Sequence, residues 1–146
     1  MSWQALEKGN KDLAEFGHQR LSGRVAYLAT VRSDGSPRVH PVTPIIGEGR
    51  LFIFMEPTSP KGHDLRRDGR YALHAGVENN EGGQGEFLVS GRAEFIEDSQ
   101  LRAVAVKHSS YTPKERYILF ELKVENAFST VYEGSGSPLR QNWPQS

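Results

Sequence analysis

Thr58-Ser59-Pro60-Lys61 is the stretch of this chain whose residue types point most directly to chemistry. Ser59 suits a helix N-cap and Pro60 the first helical position, so a helix is expected to start there and to stop near Gly69. A helix N-terminus presents unpaired N–H groups and the positive end of its dipole, which together attract phosphate. The hydroxyls of Thr58 and Ser59 and the ammonium of Lys61 all donate hydrogen bonds and would gather around such an anion. The same residues also describe an ordinary capped surface helix with a solvated lysine, and on this stretch alone both readings stand. Arg66 and Arg67 near the other end are accounted for equally by the helix dipole.

A second feature is the segment Arg38-Val39-His40-Pro41-Val42-Thr43-Pro44-Ile45-Ile46, which reads as one strand carrying two prolines. Proline donates nothing to a ladder, so this strand belongs at an edge, a bulge or an opening of a sheet. The backbone groups of His40 and Val42 are then expected to face something other than a strand. A planar ligand edge with mixed donors and acceptors would suit them; so would plain solvent, with the prolines guarding an edge against aggregation.

Other chemistries are excluded by what is missing. The chain has no cysteine, which removes disulfides, thiolate nucleophiles and Cys-ligated metal centres. No two of the five histidines sit four residues apart on a helix, and no Ser/His/Asp series suggests hydrolysis, so no metal site is expected. Eighteen basic side chains balance eighteen acidic ones, without the basic excess of a nucleic-acid binder. No apolar run approaches the ~18 residues of a membrane span. The start, Met1-Ser2-Trp3-Gln4, lacks a basic stretch followed by an apolar one, so a cytoplasmic protein is expected.

The elements that must position these residues follow from periodicity and turn chemistry. Residues 1–21 read as helical, with Asn10 capping a helix from Lys11 to about Arg20. Val25–Val31 is a continuous run of small, β-branched and aromatic residues, the pattern of a strand covered on both faces. Asp34-Gly35 makes a hairpin turn into the two-proline strand, and Gly47-Glu48-Gly49 a turn into Leu51–Met55, giving a three-strand meander. Tyr71–Val77, Phe87–Ile96, Tyr117–Val124 and Ala127–Tyr132 read as further strands, with a bulge or bend at Gly91. Asp98 caps a helix carrying Leu101, Val104, Ala105 and Val106. The stretch from Glu133 to Ser146 is turn-rich and reads as a flexible tail. Residues 1–146 form one expected domain, mainly β with flanking helices, whose six to seven strands point to an antiparallel barrel; periodicity alone fits a sandwich with helical insertions as well.

The order of these segments resembles the pyridoxamine 5′-phosphate oxidase-like family of FMN-binding split barrels. The residues that carry it are Tyr27–Val31, Asp34–Val42, Leu51–Phe54, Ser59-Pro60-Lys61, Leu65–Asp68 and Gly85–Glu94, so that it runs from about Val25 to Glu97 and more loosely to Tyr132. The resemblance implies a split β-barrel working as a homodimer, with FMN held between the subunits. It implies that Arg38, Val39, His40, Pro41 and Val42 lie along the flavin ring, with Arg38 reaching toward the phosphate. Ser59 and Lys61 would contact the phosphate, and Thr58 and Met55 would line the same cleft. Trp143 would cover the ring of the partner subunit. No Arg-x-His follows Trp143, so oxidation of pyridoxamine phosphate itself is not expected.

Three functions are open on this reading. One is an oxidoreductase passing hydride between FMN and a small molecule. The second replaces FMN by the deazaflavin F420, whose anionic tail would draw on Arg66, Arg67 and Arg70. The third is a non-catalytic flavin- or haem-binding module, with His40 or His74 as the axial ligand of a haem. No catalytic residue is assigned, since in flavin enzymes the cofactor carries the chemistry.

Overall fold

A computed structural model describes residues 1–132 and 136–145. In chain order the elements are α1 (Trp3–Gly9), α2 (Lys11–Leu21), β1 (Ala26–Val31), β2 (Pro37–Val42), β3 (Ile45–Gly47), β4 (Arg50–Met55), α3 (Pro60–Arg67), β5 (Arg70–Ala75), β6 (Glu86–Ile96), α4 (Ser99–His108), β7 (Ile118–Val131) and β8 (Leu139–Trp143). The caps form as their side chains dictate. Asn10 accepts from the Leu13 N–H at 3.1 Å, and Asp98 accepts from Gln100 and Leu101.

All pairings are antiparallel, in the order β2-β1-β5-β6-β7-β4-β3, with β8 added beside β7. The expected meander does not exist: β2 pairs with β1 and β3 with β4, at opposite edges of the sheet. Yet only Thr43 and Pro44 separate Val42 from Ile45, and three peptide steps reach at most about 11 Å. The sheet must therefore roll until its two edges almost meet. No ladder joins them, which leaves the barrel split.

The rolled inner face is filled by Leu28, Ile53, Leu73, Val89, Phe120 and Leu122, and α1 and α2 close one end with Trp3, Leu6, Leu13 and Leu21. A smaller cluster outside the barrel packs Ala105 of α4 on Phe52, Phe54, Ile96 and Leu119. Val106 faces out instead of joining it.

Three sequence expectations need correction here. The two late strands are one, β7, because it bulges opposite Gly91 without breaking: Ser90 pairs Asn126 while Gly91 pairs Val124. The turn-rich tail contains β8, whose register on β7 runs from Ala127–Trp143 to Val131–Leu139; residues 133–135 and 146 of that tail lie outside the described residues. Finally, β1 is covered on one face only. Ala26, Leu28 and Thr30 are buried, whereas Tyr27 keeps 51% of its surface exposed. No helix of the described residues is long and apolar enough to cross a membrane.

Candidate functional site

β2 is an edge strand, and its pairing explains why two prolines are tolerated there. Arg32 N–H donates to the Ser36 carbonyl at 2.8 Å, which makes that a hydrogen-bonded pair. Bonded pairs alternate along an antiparallel ladder, so Arg38, His40 and Val42 turn their backbone groups to β1. The backbones of Pro37, Val39 and Pro41 turn to the free edge, where the missing N–H of proline leaves no gap in the ladder. This reverses the expectation for His40 and Val42. The groups on offer are the N–H and carbonyl of Val39 and the carbonyls of Pro37 and Pro41.

The side chains divide by the same parity. Arg38, His40 and Val42 point to the side on which Leu28 and Thr30 are buried, while Val39 stands on the outer face with 62% exposure. Arg38 Nε donates to Asp64 Oδ2 at 2.7 Å, and the Thr30 hydroxyl donates to the same oxygen at 2.8 Å. Arg67 adds a longer contact to Asp64 at 3.6 Å. Asp64 is buried on α3, so this knot fixes the helix against β1 and β2. Burial alone would raise the Asp64 pKa, but Arg38, Thr30 and Arg67 together outweigh it and hold the carboxyl below its ordinary value.

Ser59 stands at the N-cap of α3, as expected, but its hydroxyl does not cap the helix. It instead accepts from Lys61 Nζ at 3.1 Å. Among the described residues Lys61 has no carboxylate within ion-pair distance, and the N–H groups of Lys61 and Gly62 in the first turn find no acceptor. Burial pushes the Lys61 ammonium below its ordinary pKa. Burial, then the charges of Lys61 and Arg38, push the His40 imidazole down as well. The N-terminus of α3 is thus a half-buried positive spot without a counter-charge. Thr58 lies just before it, exposed in a turn.

Lys61 also lines a groove of about 340 Å³, together with Pro41, Val42, Phe54, Met55 and Tyr117. Tyr111, Glu56 and Thr43 complete its wall. The segment after α4 supplies the two tyrosines, and arginines pin it in place. Arg102 donates to the Tyr117 carbonyl at 2.7 Å and stacks over Phe54 at 5.0 Å. Arg116 grips Glu56 at the end of β4 with paired bonds of 2.9 and 3.0 Å. The size suits a small organic ligand, and the lining mixes apolar and aromatic side chains with Thr43, Glu56 and the ammonium of Lys61.

Of the residues singled out from sequence, Pro41, Val42, Met55 and Lys61 share this groove, and Arg38, His40 and Ser59 adjoin it. Trp143 is placed elsewhere: it lies on β8, packed over Gly9 and against the core around α1. Asp64, Thr30, Glu56, Tyr111 and Tyr117 were not foreseen. Only the two tyrosines bracketing Thr112-Pro113 in a polar stretch offered a local signal, since exposed aromatics in a loop often mark a site.

The family model described as Pyridoxamine 5′-phosphate oxidase matches residues 15–130. No curated protein matches the chain. Among solved structures, a heme binding protein from Mycobacterium smegmatis superposes with a TM-score of 0.65 at 20% identity, over 86% of this chain. This chain spans only 57% of that protein's length. PhzG from Burkholderia lata 383, in complex with tetrahydrophenazine-1-carboxylic acid, gives 0.67 at 16% identity, covering 99% of this chain and 88% of that one. A NimC/NimA family protein from Clostridium acetobutylicum gives 0.64 at 19% identity, covering 95% and 96%.

Proposed function

The chain belongs to the pyridoxamine 5′-phosphate oxidase-like family, and from that premise we propose that it is a cytoplasmic, homodimeric FMN-binding oxidoreductase. The observation that carries the reading is Lys61, a half-buried cation that has no carboxylate within ion-pair distance among the described residues, at a helix start whose Lys61 and Gly62 N–H groups find no acceptor among them, and beside a groove walled in part by Phe54, Tyr111 and Tyr117. Those donors fit a phosphate monoester, and the groove fits a planar ring system.

In this reading Ser59, Lys61 and the α3 N–H groups hold the phosphate. Arg38, kept in place by Asp64, adds positive charge. The free edge of β2 offers the Val39 N–H and the Pro41 carbonyl to the polar rim of the ring. Phe54, Met55, Tyr111 and Tyr117 exclude water from its faces. Bound FMN supplies the two-electron redox chemistry, and the protein contributes position, hydrogen bonds and dryness.

One observation favours FMN over F420. The three arginines that a longer anionic tail would use already have partners: Arg66 lies 4.1 Å over Phe95, Arg67 bonds the Val31 carbonyl, and Arg70 pairs with Asp68 at 2.7 Å.

Homodimerisation is supported by the outer face of β1 and β2, where Tyr27 and Val39 expose apolar surface that none of the described residues covers. Sedimentation is expected to show a dimer and Val39→Glu to weaken it; a monomeric wild type overturns this part.

Titration with FMN, followed by visible absorption and flavin fluorescence, tests the cofactor. Saturation near one FMN per subunit is expected, weakened in Lys61→Ala and in Ser59→Ala. Each lost charge-assisted bond should cost about 1.5–3 kcal/mol. Uptake of F420 or haem in place of FMN, or uptake of none, overturns the reading.

A further inference from the structure

The chain has six lysines, and five of them lie in water or against a carboxylate. Lys8, Lys11, Lys107 and Lys114 are exposed, with Lys11 3.9 Å from Glu15. Lys123 lies 3.8 Å from Glu94 and 3.4 Å from Glu121. Lys61 differs in both respects. It is half-buried, and among the described residues it has no carboxylate within ion-pair distance and bonds only the Ser59 hydroxyl, at 3.1 Å. Its Nζ therefore gains a single neutral partner by staying charged, and burial lowers its pKa. A larger share of this lysine is then the neutral amine, which carries the nucleophilic lone pair. The amine stands at the groove of about 340 Å³ whose walls include Phe54, Met55, Tyr111 and Tyr117. A lysine desolvated beside an apolar wall is the kind that forms imines with carbonyl compounds.

We propose that Lys61 is a covalent docking point for aromatic aldehydes, whose ring the groove seats against Phe54, Tyr111 and Tyr117 while the ε-amine closes on the carbonyl carbon. The nitrogen lone pair forms the C–N bond, and the carbonyl oxygen takes the proton that nitrogen gives up. The carbinolamine then loses its hydroxyl and the second nitrogen proton as water, which leaves a C=N bond. No oxidant or reductant takes part. The Ser59 hydroxyl, 3.1 Å from Nζ, is placed to pass a proton to the departing oxygen. The apolar walls keep water from the finished imine and so slow its hydrolysis. This chemistry needs no FMN. It belongs to the lysine when no anion occupies the start of α3, because a bound anion keeps the amine charged. Aromatic aldehydes would in that way block the groove against its phosphate-bearing ligand.

Benzaldehyde is the probe, incubated at neutral pH with the purified FMN-free protein and cyanoborohydride, which reduces each imine to a stable secondary amine. Peptide mass mapping then follows the benzyl group at every lysine, with the α-amine counted apart because it reacts in any protein. Lys61 should be labelled about tenfold or more faster than Lys107 and Lys114, the gain expected when the groove holds the ring beside the amine. Acetaldehyde, the same carbonyl without a ring, should favour Lys61 severalfold less. Tyr111→Ala, a change at an exposed wall residue, should reduce the benzaldehyde preference. Labelling of Lys61 no faster than of Lys107 and Lys114 overturns the proposal, and so does an equal preference shown by acetaldehyde. Added FMN separates this site from the cofactor reading. Lys61 labelling that FMN slows supports both, and labelling that FMN leaves unchanged counts against the phosphate position alone. FMN binding without a preferred lysine overturns the aldehyde site alone.

Discussion

Arg38 on the edge strand and Asp64 on α3 are joined by a 2.7 Å hydrogen bond, and this one contact ties the free edge of the sheet to the helix whose start carries Lys61. Asp64 is buried, whereas the Arg38 side chain keeps 22% exposure. The carboxylate is therefore the member that cannot be rehydrated in place.

Removing it should destabilise the fold. Asp64→Ala is expected to cost roughly 3–5 kcal/mol, toward the lower end because water can reach Arg38. A carboxyl whose folded pKa lies below its unfolded value of about 3.9 adds stability above that pH and loses it as pH falls toward the folded value. Urea midpoints of the wild type should thus drop steeply below about pH 4, and those of Asp64→Asn less steeply. Parallel curves for the two proteins would count against the knot.

Lys61→Met should separate stability from binding. The ammonium is half-buried and, among the described residues, bonded to Ser59 alone, so replacing it by an apolar side chain of similar length should leave stability unchanged or raise it by up to about 1 kcal/mol. FMN affinity should fall by about tenfold or more. A marked loss of stability would mean that the lysine serves the fold.

His40 offers a readout of the phosphate position without any assay of turnover. Burial and the charges of Lys61 and Arg38 hold its pKa down. An anion bound at Lys61 cancels part of that repulsion, so FMN or inorganic phosphate should raise the His40 pKa in an NMR titration. No movement would place the anion elsewhere.

Gly91 is required by the bulge in β7. A Cβ there would press into the Lys123 carbonyl and stand 3.0 Å from the Glu125 nitrogen, both backbone atoms that cannot swing away. Gly91→Ala should cost about 3 kcal/mol in chemical denaturation. Gly35→Ala, at φ +88° but with nothing within 4 Å, should cost only about 1 kcal/mol.

Local rules made much of this molecule legible from sequence. Asn10 and Asp98 cap their helices because each side chain reaches its own first turn. Pro41 announced an edge strand because a missing N–H is tolerated only where no neighbour needs it. Ser59 and Pro60 announced the start of α3, although the Ser59 hydroxyl turns to Lys61 and does not cap it. Each of these is decided within a few residues.

Strand partnership is not. β2 and β3 are separated by two residues yet hold opposite edges, because β1 finds β5 and β4 finds β7 far along the chain. Which backbone groups of β2 remain free depended on that pairing, and the parity fell to Val39 where sequence favoured His40 and Val42. Asp64 looked like one more helix carboxylate until folding brought Thr30 and Arg38 to it from 34 and 26 residues away. Tyr111 and Tyr117 became groove walls only through Arg102 and Arg116. The sequence by itself determined the kinds of element and the positive helix start. Only the tertiary structure decided which side chains face one another across them, because burial and long-range pairing bring together groups that no local pattern relates.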